Sequence, residues 1–353
     1  MSPTPPAETP VVDLSDRPGP PRADTHSLQR RFGPLLAGAA VIGLALALQT
    51  QLYTGQVRMV TTIFTFVGLA AAWNLIGGFA GYACFGQVGF FGLGGYATAV
   101  LMTHAHVSFW AALAISTALG GAFAALVGFP LLRLKGHYFA VATLGVAEGL
   151  REVVLNLPAL TGGGAGISIP SVGAGATTPW FGNDGFYVLF LVQAAVVVAV
   201  SGWVSRSRAG YALRAIHQDE DAAAAVGIDT TRVKTLAFAG SAALTAALGA
   251  SYAFQQITIF PERLFDVHIT VLMVVMVVLG GAGTVVGPVV GAVFVAYVSE
   301  WLRDQLPDSH AFVLGGLIVL AVILLPQGFT TYLSEARKTR RFSLLDNVRR
   351  YRL

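Results

Sequence analysis

Between Arg58 and Arg133 the chain carries no Asp, Glu, Lys or Arg. A soluble domain uses roughly 25% charged residues to face water. Here the charged share is 11% against 55% hydrophobic, and the mean hydropathy is +0.67. Such a chain has hydrocarbon as its solvent, where backbone groups must bond internally, so that helices are the favoured spanning form. A helix needs about 20 apolar residues to cross. Runs of that kind recur at 33–52, 58–76, 86–103, 109–132, 138–156, 186–204, 233–254, 268–282, 284–302 and 311–326. The sequence therefore predicts an all-α, polytopic membrane protein with about ten transmembrane helices.

Around this membrane domain, residues 32–333, lie two polar tails. Residues 1–31 hold Pro3, Pro5, Pro6, Pro10, Pro18, Pro20 and Pro21, a composition expected to stay disordered. Residues 334–353 form a basic tail. No small-residue cleavage pattern of a secretory signal is evident. Basic residues in short loops mark the cytoplasmic side. Arg30 and Arg31 precede the first run, and Arg133 and Lys135 follow the fourth. Arg206, Arg208, Arg214, Arg232 and Lys234 follow the sixth, and Arg337, Lys338, Arg340 and Arg341 follow the last. With an even number of spans all four sets share one side, so both termini are expected in the cytoplasm. The opposite side receives 103–108, 156–185, 255–267 and 303–310, where basic residues are few.

Two segments depart from plain apolar helix. One is G-G-F-A-G-Y-A-C-F-G-Q-V-G-F-F-G-L-G-G-Y, Gly77 to Tyr96; the other is L-G-G-A-G-T-V-V-G-P-V-V-G, Leu279 to Gly291. Glycine at this density breaks helix regularity and lets backbones approach closely. Irregular backbone at membrane depth is tolerated only against protein or beside a water-filled path, and paired glycine-interrupted segments often flank a translocation route. Gly86, Gly89, Gly92, Gly283 and Gly287 are thus expected to line such a path or to pack helices. Both breaks have the same orientation in this topology, so a repeat relating them would be parallel. Glu148, Arg151 and Glu152 share one side of the fifth helix, where Glu148 and Arg151 could line a polar path or dock helices.

Catalytic machinery is not evident. No G-x-x-x-x-G-K-[ST], H-E-x-x-H or G-x-S-x-G is present, and Lys135, Lys234 and Lys338 are the only lysines. His104, His106 and His268 have no carboxylate cluster at metal spacing, so no metal site is expected. The single cysteine, Cys84, excludes an internal disulfide. The net charge of +4 is modest, and no nucleic-acid partner is expected. A transport subunit, a stand-alone channel or ion-coupled carrier, and an intramembrane enzyme remain open on these grounds.

The largest cytoplasmic loop, 205–231, contains R-A-I-H-Q-D-E-D-A-A-A-A-V-G, Arg214 to Gly227. The alanine run has high helix propensity. Asp219, Glu220 and Asp221 suit a first turn, and Gly227 suits a left-handed end. Asp229 looks like the N-cap of the next span. The reading is one short helix held outside the bilayer.

D-A-A-A-A-V-G, Asp221 to Gly227, is similar to the E-A-A-x-x-x-G motif of ABC importer permeases, with Asp replacing Glu. The surrounding loop from Ser207 to Asp229 resembles that of the branched-chain amino acid permease family, LivM-type. So do R-L-K-G-H-Y-F-A-V-A-T-L-G (Arg133 to Gly145), L-T-G-G-G-A-G-I (Leu160 to Ile167) and V-V-L-G-G-A-G-T-V-V-G-P-V-V-G-A (Val277 to Ala292). This resemblance implies a permease subunit of the bacterial cytoplasmic membrane, without an ATPase site or cofactor of its own. Its implied partners are a homologous LivH-type permease, two cytoplasmic ATPase subunits that use ATP, and an extracytoplasmic solute-binding protein. The implied cargo is leucine, isoleucine or valine; related systems carry urea, short amides, other amino acids or aromatic acids. The resemblance further implies that Asp221, Ala222, Ala223 and Gly227 form the motif that docks on an ATPase, with Arg214 and Glu220 as polar contacts.

Overall fold

The computed structural model describes residues 43, 49, 53–169, 182–306, 309–324, 328–330 and 332. The segment 33–52 falls almost wholly outside the described residues, as do both tails. The compact unit Leu48–Leu353 contains every element described here. These are α1 (Thr54–Ile76), α2 (Gln87–His104), α3 (Phe109–Leu131), α4 (His137–Leu155), the single turn α5 (Pro158–Thr161) and β1 (Ile167–Ser168). They continue with α6 (Asn183–Arg206), α7 (Arg208–Gln218), α8 (Glu220–Ala225), α9 (Thr230–Gln256), β2 (Thr258–Ile259), α10 (Pro261–Leu264), α11 (Val267–Gly280), α12 (Val286–Gln305) and α13 (His310–Leu324).

The architecture is all-α, as the apolar runs predict, with helix ends shifted by a few residues. Among the described residues, six segments are long and apolar enough to cross a membrane: Gly55–Ile76, Phe109–Leu131, Asp184–Arg206, Thr230–Gln256, Pro261–Gly280 and Val286–Gln305. The loops on the basic-poor side are less plain than expected. Ile167 pairs with Ile259 and Ser168 with Thr258 in a two-residue antiparallel ladder. The pairing is close because Gly166, at φ +76°, would place a Cβ 2.3 Å from the Ile259 carbonyl oxygen.

The long helix α9 is the hub, packed against α1, α2 and α3. Its contact face is built from Ala242, Ala246, Gly249, Ala250 and Ala253, all buried. A Cβ on Gly249 would lie 2.0 Å from the Phe91 carbonyl oxygen, and one on Gly94 2.1 Å from that of Ala246. Between apolar helices in lipid, such close backbone contact supplies the dispersion energy that hydrophobic burial supplies in water. Hydroxyl and amide groups add interhelical bonds. Gln87 Nε2 donates to Ser241 Oγ at 2.9 Å and Thr245 Oγ1 at 2.6 Å, and Ser241 Oγ donates to the Ala72 carbonyl at 2.7 Å.

The two glycine-rich breaks meet. Asn74, near the end of α1, accepts from the Gly283 amide at 3.0 Å and donates to the Thr284 carbonyl at 2.8 Å. A Cβ on Gly78 would stand 2.7 Å from the Gly283 nitrogen, while Gly283 itself has φ +73°. The first break therefore rests directly on the second, at the ends of α1 and α11.

Candidate functional site

The acidic, alanine-rich loop folds as two helices rather than one. Arg214 to Gln218 are the last residues of α7, and Glu220 to Ala225 are α8. The break falls at Asp219, which is extended (φ −159°, ψ 112°) and turns its carboxylate back onto the Asp221 and Ala222 amides, both at 2.9 Å. An acidic N-cap satisfies orphan donors at a helix start, and here that local gain ends the preceding helix. Ser207 opens α7 and accepts from the Gly210 amide at 3.3 Å. Its apolar face, Gly210, Leu213 and Ile216, is buried. Gly227 follows α8 with φ +90°, and Asp229 caps α9 by accepting from the Arg232 amide at 3.0 Å.

The residues of the motif divide by direction. Asp221, Ala222, Ala224, Ala225, Val226 and Gly227 are exposed, whereas Ala223 is buried. Asp221 pairs with Lys135 at 2.9 Å across the surface, joining α8 to the segment between α3 and α4. Its hydrogen bond raises the Lys135 pKa. Both side chains are well exposed, so the pair contributes little to stability. Arg214 donates to the Ser205 carbonyl at 2.5 Å and stacks on the Tyr211 ring. It thus braces the turn between α6 and α7.

Glu220 points inward. Its Oε1 accepts from Lys234 Nζ at 2.5 Å, and its Oε2 accepts from the Tyr82 hydroxyl. Lys234 lies in the first turns of α9 and is only 3% exposed. It also donates to the Tyr82 hydroxyl at 3.0 Å and to the Leu132 carbonyl at 2.9 Å. Burial opposes ionisation of Glu220, but the bonds from Lys234 and Tyr82 and the positive charges nearby outweigh it, holding the carboxyl below its usual range. Burial, reinforced by the Glu220 carboxylate, raises the pKa of Tyr82 and keeps the phenol protonated. Nothing in the sequence marks Tyr82 or Lys234 as a site residue. There Lys234 is one basic residue among those that set topology, and the available signal is that it is one of three lysines.

The remaining residues lie elsewhere. Gly86, Gly89 and Gly92 pack tightly: a Cβ at each would strike the Thr143 carbonyl at 2.1 Å, the Ala147 Cα at 2.8 Å and the Phe265 ring at 2.5 Å respectively. A Cβ on Gly287 would stand 2.2 Å from the Gly281 carbonyl oxygen, so α12 packs closely on the end of α11. Glu148 and Arg151 form an ion pair on α4, with Glu152 at 3.9 Å from Arg151. They share an open face with Gly145 and Gly149, where a Cβ would meet nothing within 4 Å.

Comparison with known proteins gives the family. The family model described as branched-chain amino acid transport system / permease component matches residues 55–322. The chain belongs to that family. The permease is 32% identical over 312 residues to the high-affinity branched-chain amino acid transport system permease protein LivM of Salmonella typhimurium, and equally to that of Escherichia coli. Each alignment covers 82% of this permease and 73% of the relative. It is 25% identical over 231 residues to LivH of Escherichia coli, covering 62% and 72% of the two chains. No solved structure matches the permease.

Proposed function

We propose that the chain is the membrane-spanning permease subunit of an ATP-driven importer that carries branched-chain amino acids across the bacterial cytoplasmic membrane. The observation that carries this reading is the similarity to LivM proteins along most of the permease. The exposed α8 surface beside a left-handed glycine supports it as the place where an external motor would grip. In this reading the chain has about ten spans with both termini in the cytoplasm. It pairs with a homologous permease, binds two ATPase subunits and receives solute from an extracytoplasmic binding protein. Nucleotide-driven closure of the ATPases biases the membrane helices between two packings. The exposed part of the motif, Asp221, Ala222 and Gly227, with Val226 beside it, docks on an ATPase. The open face of α4, bearing Glu148 and Arg151, faces the water-filled side, because paired charges facing lipid are costly.

Gly227 supplies the test. A Cβ there meets nothing within 4 Å and the position is exposed, so the cost of Gly227→Trp to the fold is local left-handed strain. The variant is expected to insert and fold normally while branched-chain amino acid uptake by the reconstituted transporter falls at least tenfold, a loss of about 1.4 kcal/mol in coupling. Wild-type uptake at wild-type expression would refute the docking role.

A further inference from the structure

We infer that Lys234 is a positioning residue that ties the docking helix to the glycine-rich segment after α1, so that movement of the loop is carried into the membrane helices rather than absorbed by the loop itself. This rests on the reading of α8 as the element gripped by an ATPase.

At its two ends α8 is joined by hinges, the extended Asp219 on one side and Gly227 at φ +90° on the other. Held by these alone, the helix could shift under a docked partner without moving anything else. Lys234 removes that freedom. Its ammonium uses its three donors on three different segments: Glu220 of α8, Tyr82 of the glycine-rich segment, and the carbonyl of Leu132 just past α3. Tyr82 closes the figure by donating to the second oxygen of Glu220, and its ring lies beneath the ammonium at 4.7 Å.

The tie then continues inward without a gap. A Cβ on Gly81, two residues after Phe79, would strike the His217 ring of α7 at 2.9 Å, so α7 also bears on this segment. From there Gly78 abuts Gly283, and Asn74 bonds both Gly283 and Thr284. A buried charge pair is a poor source of stability but a good means of fixing one geometry, because any displacement leaves a desolvated charge unpaired. Displacing α8 therefore either drags the first break, and through it the second, or breaks a buried ion pair.

The experiment uses the complete transporter in liposomes, measuring ATP hydrolysed per amino acid imported for Lys234→Met, Lys234→Arg and Tyr82→Phe. Lys234→Met is expected to co-purify with the ATPases and hydrolyse ATP, but to spend roughly tenfold more ATP per solute. Lys234→Arg, which keeps charge and several donors, should recover most of the coupling, a rescue that loss of packing alone would not give. If Lys234→Met does not fold, Tyr82→Phe decides, since it removes one hydroxyl and should raise the ratio measurably. An unchanged ratio in the folded variants overturns the inference. Failure of the docking reading is separate: it appears as normal uptake by Gly227→Trp, whereas failure of the tie appears as normal coupling in Lys234→Met while Gly227→Trp stays uncoupled.

Discussion

At the scale of single residues, the loop turns on the ionisation of Glu220. Its carboxyl is held below its usual range, so the stability it contributes is fully present above the unfolded-state value, about 4.3. That stability is lost as the pH falls through the lower folded-state value. The thermal stability of wild type minus Glu220→Gln should therefore stay constant from pH 8 to about pH 5 and shrink only in more acidic buffer. A difference that vanished near pH 6.5 would show that Glu220 titrates without Lys234. The sequence could present Glu220 only as a charge in an acidic run, and so as an outward contact. What turns it inward is Tyr82, distant in the chain and marked by no periodicity, together with a lysine whose burial only the packed helices create. Gly227 and Asp229 were legible because their roles are local: a left-handed stop and a cap follow from residue type and spacing alone.

At the scale of elements, glycine and alanine do most of the positioning. The run Gly283, Gly287, Gly291 announces itself by four-residue spacing, and each of the three approaches backbone in the structure. The small-residue face of α9 is as important but does not stand out in the sequence, since alanine is common in any helix and only the partner reveals which alanines matter. Gly249→Leu should force α9 away from α2, because even a Cβ there would overlap the Phe91 carbonyl. Overpacking of this kind costs about 1–3 kcal/mol and more when backbone must move, so its melting temperature in detergent should fall by several degrees. Gly240→Leu on the same helix, where a Cβ meets nothing within 4 Å, should melt as wild type. Equal melting of the two variants would remove the close α2–α9 contact from the account. The division of the loop into α7 and α8 is illegible in the sequence for a related reason: Asp219 suits both a first turn and a cap, and only the structure shows it extended, accepting from the Asp221 and Ala222 amides.

At the scale of the whole molecule, the arrangement depends on which loops share a side of the bilayer. The positive-inside rule expects the basic residues around α7 to α9 and those between α3 and α4 on the same, cytoplasmic side, and in the structure they converge, with Lys135 on Asp221 and Lys234 on the Leu132 carbonyl. On the basic-poor side, His106 lies between α2 and α3, and the β1–β2 ladder joins two loops assigned there. The only cysteine, Cys84, is fully buried, so introduced cysteines can be read without interference from it. His106→Cys and Val226→Cys, both at exposed positions, should label oppositely in right-side-out vesicles: the first with a membrane-impermeant maleimide, the second only with a permeant one. Labelling of both by the impermeant reagent would place the α8 loop outside the cell, away from ATP, and would remove the physical basis for a motor acting there.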